Sequence, residues 1–294
     1  MYETAKQNYK ILCSVITYNP DEHLLVKNIE SITNQVSELV IVDNCSNNIA
    51  SIASIAVKYN VHLIRCTENF GIAKALNIAF KYAEKNEFKW VLTLDQDSVC
   101  PDNYFKYLSP LMNNIPNVGI TAPVIVDRTN IIIGHKPKFD YQYVRTCITS
   151  GACTSVSAWK AVGGFDEAMF IDSVDFDFCF RLRKAGYKIV QTSLVKLDHS
   201  LGTSTTICFG KFQYTYFEHN AFRLYYIAQN NIYYPAKNFL ALHFLRGNIR
   251  NILLLLRVCL FEQNKSDKIK SILKGFFNGY NLTYKYIIGR YYNE

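Results

Sequence analysis

Over its first hundred residues the chain alternates short apolar runs with longer stretches whose apolar positions recur at helical spacing. Ile11–Thr17 reads as a buried strand, and residues 21–34 as a helix opened by Pro20-Asp21. Residues 39–42 give a second strand ending at Asp43-Asn44, 51–59 a helix, and 61–65 a third strand. The helix expected over 72–84 sets Ala73, Leu76, Phe80 and Ala83 on one face. Residues 90–94 form the fourth strand. This βαβα order predicts a parallel, doubly wound sheet with its ligand site at the carboxyl ends of the strands. Three polar clusters fall at those ends: Thr17-Tyr18-Asn19, Asp43-Asn44 and Asp95-Gln96-Asp97.

The pattern loosens further on. Val118–Val126, 131–133 and 145–150 read as strands, and 172–185 as a helix that Gly186 would cap at its C-terminus. Residues 188–195 read as one more strand. From Lys211 onward the pattern turns helical and aromatic.

Composition then sets bounds. At 294 residues, 49% of them hydrophobic, the chain can bury one large core with an appended helical region. The expected division is 1–205 and 206–294. Nine cysteines are scattered with no Cys-x-x-Cys, which suits buried free thiols in a reducing compartment. Met1-Tyr2-Glu3-Thr4-Ala5-Lys6 leads into a strand and carries no signal-peptide core, so a cytoplasmic location is expected.

The net charge of +8 comes from 32 basic and 24 acidic residues, unevenly spread. From Lys265 the chain interleaves Lys268, Lys270, Lys274 and Lys285 with Phe276, Phe277, Tyr280 and Tyr284. Such a tail suits an anionic membrane surface or a nucleic acid, and equally a solvated helix packed by its aromatics. The run 252–261 is interrupted by Arg257 and too short to span a bilayer.

The chemistry gathers in carboxylate clusters. Thr93-Leu94-Asp95-Gln96-Asp97-Ser98 sets two carboxylates one residue apart where a strand stops. Oxygen ligands aimed together suit a hard divalent cation that also holds phosphates, and an ordinary turn explains the triplet as well. Asp43 could accept from a pyrimidine imide or bond a ribose hydroxyl, or serve the turn that Asn44, Ser46 and Asn47 follow. Glu68-Asn69-Phe70-Gly71-Ile72-Ala73 puts small residues at a loop-to-helix junction, fit for a phosphate or base or for simple packing. Ser150-Gly151-Ala152 and Gly163-Gly164-Phe165-Asp166 flank a short helix carrying Trp159 and could line a sugar pocket or simply turn the chain.

The second cluster is Asp172-Ser173-Val174-Asp175-Phe176-Asp177. On a helix Asp172 and Asp175 share a face, while Asp177 can pair with Arg181 four residues on. Asp175, and after it Asp172, could be a general base for an acceptor hydroxyl, or both could merely cap the helix. His199, in Asp198-His199-Ser200, could be a further metal or diphosphate contact or a structural histidine.

Together these segments resemble an inverting family 2 glycosyltransferase of the GT-A fold, an α/β fold with a mostly parallel sheet, over about residues 11–202. The match is closest to rhamnosyltransferase-like members. It rests on Val15-Ile16-Thr17-Tyr18-Asn19-Pro20, Val42-Asp43-Asn44, Asn69-Phe70-Gly71, Leu94-Asp95-Gln96-Asp97-Ser98, Thr149-Ser150-Gly151, Phe170-Ile171-Asp172-Ser173-Val174-Asp175 and His199-Ser200-Leu201-Gly202. The resemblance implies that Thr17, Asn19 and Asp43 bind the nucleoside, with Asn69 and Gly71 near base and ribose. It puts Asp95 and Gln96 near the sugar, Asp97 with Asp95 on Mg²⁺ or Mn²⁺, with His199 as a further ligand, and Asp175 as base. Val174 stands where the family usually has Glu, a change common in rhamnosyltransferase-like members. Gln229-Asn230 stands where Arg-Asn is expected.

The implied donor is dTDP-β-L-rhamnose and the implied acceptor a saccharide or lipid-linked saccharide in cell-surface polysaccharide synthesis. A UDP-sugar-dependent transferase (galactofuranosyl, galactosyl or glucosyl) is the alternative. A basic nucleic-acid or membrane-binding module is a remote third reading, and nucleic acid is not an expected partner. No Gly-x-Gly-x-x-Gly follows the first strand, which excludes a dinucleotide-binding oxidoreductase.

Overall fold

The computed structural model describes residues 10–126, 132–198, 204–209 and 212–293. His199 and the first nine residues lie outside the described residues. Two compact units emerge, one of Met1–Glu167 with Val174–Ser200, the other of Ala168–Ser173 with Leu201–Glu294.

The first unit holds a sheet. Its leading strands are β1 (Ile11–Thr17), β2 (Glu38–Asp43), β3 (His62–Arg65) and β4 (Trp90–Asp95). Helices α1 (Glu22–Ile32), α2 (Ile49–Lys58) and α3 (Ile72–Lys85) connect them. All seven residues of β1 are buried, as a parallel strand covered on both faces requires. After α4 (Tyr104–Asn114) come β5 (Val118–Val126), β6 (Ile132–Ile133), β7 (Tyr141–Tyr143) and β8 (Ala152–Ser155). Helices α5 (Val156–Ala161) and α6 (Val174–Lys184) and strand β9 (Lys188–Asp198) complete the unit.

The strand order is β3-β2-β1-β4-β8-β5-β9-β7, with β6 paired to β5. β3, β2, β1 and β4 run parallel, and so do β5 and β9. β8 enters antiparallel between β4 and β5. Because the chain runs outward from β1 through β2 to β3 and then crosses back through α3 to β4 on the other side of β1, the strand order reverses beside β1. A crevice at the carboxyl ends follows from that reversal.

The second unit carries the hairpin β10 (Ser204–Phe209) and β11 (Phe212–Phe217), then α7 (Ala221–Lys237), α8 (Ala241–Phe261) and α9 (Lys265–Asn293). Leu224, Ala228, Leu254, Val258 and Ile272 form its core. Its helices approach at glycine. A Cβ on Gly247 would sit 1.8 Å from the Asn231 carbonyl oxygen, and one on Gly275 would sit 2.0 Å from that of Tyr225.

Three expectations are corrected. Residues 145–150 are not a strand but a loop, because their hydrogen-bonding groups serve β4 rather than a ladder: Thr149 O accepts from Thr93 Oγ1 at 2.5 Å. Phe212–Phe217 is strand, not helix, since its backbone pairs antiparallel with β10. The helix at 172–185 begins only at Val174, because Asp172 and Ser173 adopt φ of 65° and 61°. Asp172 and Asp175 therefore do not share a helix face. Gly186, at φ 84°, ends α6 as expected.

Among the described residues no helix is long and apolar enough to cross a membrane. Cys13, Cys100 and Cys153 are buried in the sheet core, and burial pushes each thiol above its ordinary range. Cys45 and Cys259 are exposed.

Candidate functional site

Thr17 and Asp43 end neighbouring strands in register. Thr17 Oγ1 donates to Asp43 Oδ1 at 2.9 Å, Ser46 N–H to Oδ2 at 2.9 Å, and Ser46 Oγ to Oδ1 at 2.5 Å. Asp43 is only 1% exposed, so the carboxylate shapes this turn whatever else it binds. An ionised carboxylate has about four lone-pair sites, which leaves capacity on Oδ2 for one more donor. Asn19 continues the network: its N–H donates to Ser46 Oγ at 2.8 Å and its Oδ1 accepts from Asn47 N–H at 2.7 Å.

Asn69 and Gly71 join it through Asn44. Asn44 Nδ2 donates to Asn69 Oδ1 at 2.8 Å, and Gly71 N–H donates to the same oxygen at 3.0 Å. Gly71, at φ 80°, opens α3 without a side-chain cap, so backbone N–H groups face the crevice end of the fold. Gln96 is tied to the same edge, its Oε1 accepting from Tyr18 N–H at 2.9 Å. Thr17, Asn19, Asp43, Asn69, Gly71 and Gln96 thus form one connected polar rim.

Asp95 ends β4 and Asp97 follows in the turn, both half-buried. Asn28 Nδ2 on α1 donates to Asp95 O at 2.8 Å and to Ser98 O at 2.7 Å, clamping the turn from below. Ser150 Oγ accepts from Asp95 N–H at 3.1 Å and lies 2.8 Å from Ser98 Oγ. Among the described residues no side chain bonds or pairs with the Asp97 carboxylate. No group of three or more His, Cys, Asp or Glu gathers there among the described residues. Two carboxylates on one turn fit a Mg²⁺ or Mn²⁺ that takes its remaining oxygens from phosphates and water.

Ser150 also lines a cavity of about 150 Å³ with Asp175, His135, Cys147 and Gln191. Asp175 sits in the first turn of α6, its Oδ1 accepting from Phe176 N–H at 2.8 Å. Hydrogen bonding with Cys179 and burial raise the Cys147 thiol, and the nearby Asp175 charge adds to this. A larger cavity, about 950 Å³, opens beside Lys10, Glu84 and Trp90. It lies at the amino ends of β1 and β4, the wrong end of a parallel sheet for a ligand.

Asp177 is buried and paired with Arg181 at 2.8 Å, as its spacing predicts. Gly163 and Gly164 turn the chain: a Cβ on Gly164 would meet Asn77 Oδ1 at 2.7 Å. In the second unit, both Asp172 oxygens accept from Arg223, at 2.9 and 3.2 Å. Asn230 Nδ2 donates to Ile171 O and Asp172 O, each at 2.8 Å, and Gln229 Nε2 to Ala168 O at 3.0 Å. Amides from α7 therefore hold the left-handed segment ahead of α6.

Residues 13–158 match the family described as Glycosyl transferase family 2. The chain is 31% identical to the dTDP-rhamnosyl transferase RfbF of Shigella flexneri over 221 residues, 68% of this chain and 73% of that one. The chain belongs to the family 2 glycosyltransferases. Its fold is shared with GalNAc-T7 solved with UDP, GalNAc and Mn²⁺ (TM-score 0.59, 13% identity, 96% of this chain and 58% of that chain). It is shared too with the mannosyltransferase PcManGT of Pyrobaculum calidifontis in complex with GDP-Man and Mn²⁺ (TM-score 0.56, 14% identity, 96% and 86% covered). The glycosyltransferase thus has the GT-A fold that its resemblance implies. The sequence points to the rim and to both carboxylate clusters, and names Asn44, Ser46 and Ser98 within their motifs, but gives no sign of Asn28 as a support. No local signal marks Asn28, because the carbonyls it holds lie 67 and 70 residues on.

Proposed function

We propose that this glycosyltransferase moves L-rhamnose from dTDP-β-L-rhamnose to a saccharide or lipid-linked saccharide with inversion, in cell-surface polysaccharide synthesis. One observation carries the reading: Ser150 bonds the Asp95–Ser98 turn and lines the cavity on which Asp175 sits. It ties a donor-binding carboxylate pair to a base. The similarity to RfbF and the Val174-Asp175 pair support rhamnose.

In this reading residues of about 1–100 bind the donor and about 101–205 the acceptor. Thr17, Asn19 and Asp43 hold the nucleoside, Asn69 and Gly71 the base and ribose, and Gln96 the sugar side. Asp97 and Asp95, with His199, would hold Mg²⁺ or Mn²⁺, which when bound supplies charge neutralisation for a departing nucleoside diphosphate. Asp175 takes the proton from the acceptor hydroxyl as its oxygen attacks the anomeric carbon. The bond from that carbon to the diphosphate oxygen breaks in the same displacement, so a β donor gives an α product. Asp172, held by Arg223, is the second candidate base. The enzyme works at the inner face of a membrane, with region 206–294 in contact with it.

A panel of nucleotide sugars, with and without Mn²⁺, tests this on wild type, Asp97→Asn and Asp175→Asn. The expected result is metal-dependent transfer from dTDP-rhamnose, reduced about hundredfold or more in both variants. Asp175→Asn should keep donor binding. Preference for a UDP-sugar would keep the enzyme class and overturn the rhamnosyl assignment; Asp43 itself suits either base, because uracil and thymine offer it the same imide edge.

A further inference from the structure

The second unit shows an apolar face that its own packing leaves open. Helix α8 buries Gly247, Asn251, Leu254 and Val258, which recur along one side. Leu242, Leu245, Ile249, Ile252, Leu256 and Leu260 recur at the same helical spacing and are each 48–65% exposed. At about 100° per residue this second stripe lies roughly opposite the first. Helix α9 repeats the arrangement with Leu273, Phe277, Tyr280, Tyr284 and Ile287, all at least 40% exposed. The two stripes adjoin: Tyr280 OH donates to Asn248 Oδ1 at 2.7 Å and its ring meets Phe244 at 5.8 Å. Exposed apolar surface of this extent marks an interaction site.

Charge decides the occupant. Between Glu218 and Glu262 the chain has no Asp or Glu, while exposed Arg246 and Arg250 flank the α8 stripe. Lys270, Lys274 and Lys285 flank the α9 stripe. A second copy docked on the α8 face would set arginine against arginine, with no carboxylate on the α8 of either copy to answer. An anionic lipid surface answers every one of them. The α8 helix is about 30 Å long and its arginines bar it from crossing, so it would lie in the plane of the interface.

We propose that the outer face of α8, continued by α9, is the surface by which this protein docks on an anionic phospholipid bilayer. This rests on and deepens the membrane part of the proposed function by naming which face within region 206–294 makes the contact. The test needs no sugar transfer, so either can fail without the other. Full-length protein is floated with phosphatidylcholine vesicles with and without phosphatidylglycerol. Binding is expected only with phosphatidylglycerol, weakening as salt rises. Leu245→Glu with Ile252→Glu should weaken it about tenfold or more, and Arg246→Glu with Arg250→Glu should also weaken it. Val57→Glu, at an exposed position on α2, should leave it unchanged. Circular dichroism checks that each variant is folded. A concentration-dependent dimer abolished by Leu245→Glu with Ile252→Glu, without vesicle binding, would overturn the proposal in favour of self-association. Vesicle binding that survives both double variants would overturn it as well.

Discussion

The two units solve opposite problems. In the sheet unit polar groups are drawn inward: Thr17 and Asp43 are almost fully buried at strand ends and bonded to each other, and buried Ser98 is held by Asn28 and Ser150. In the helical unit apolar groups are left outward along α8 and α9, while buried polar side chains are spent on fixing helices and one loop. A buried bonded polar rim confers geometry, which a reaction needs. An exposed apolar stripe confers adhesion, which it does not.

The sharpest break is expected at Gly247. Even Gly247→Ala puts a methyl 1.8 Å from the Asn231 carbonyl oxygen on α7. The overpacking should cost the helical unit about 3 kcal/mol or more. Thermal unfolding followed by circular dichroism should show the helical transition falling, while the sheet unit still binds nucleotide. Loss of both together would erase the distinction between the units.

Ser150→Ala strikes the other side. It strips a buried hydroxyl from Asp95 N–H and Ser98 Oγ and should cost about 1–3 kcal/mol. Donor KM should rise with it, because the loosened turn carries Asp95 and Asp97. An unchanged KM would separate the hydroxyl from the site.

The smallest effect is a pH response confined to the helical unit. Burial first, and then the Arg223 charge, lower the His219 pKa below its ordinary value of 6.5. The folded state then binds fewer protons than the unfolded one, so stability is full above pH 6.5 and declines as pH falls below it. Denaturant titrations should show a decline that His219→Gln removes.

Much of this was legible because it is local. Strand β1 and helix α3 announce themselves through runs and periods within a few residues. The Asp95-Gln96-Asp97 turn is visible because a strand must end before it. The hairpin β10–β11 was hidden because aromatic alternation over six residues resembles the helical sequence that follows it. Asp172 was misread for a different reason. Its partner Arg223 lies 51 residues away, and its left-handed backbone is fixed by Asn230, farther still. No window along the chain contains both ends of such a contact.

The distribution of thiols has a practical consequence. Cys45 adjoins the Asp43-Asn44 turn and Cys259 lies on α8, and both meet solvent, whereas the core thiols resist ionisation. Among the described cysteines a maleimide dye should therefore find these two positions first. With one of the two replaced by serine the other takes a single dye, so Cys45 would report on the rim proposed to hold nucleotide and Cys259 on the helix proposed to meet lipid.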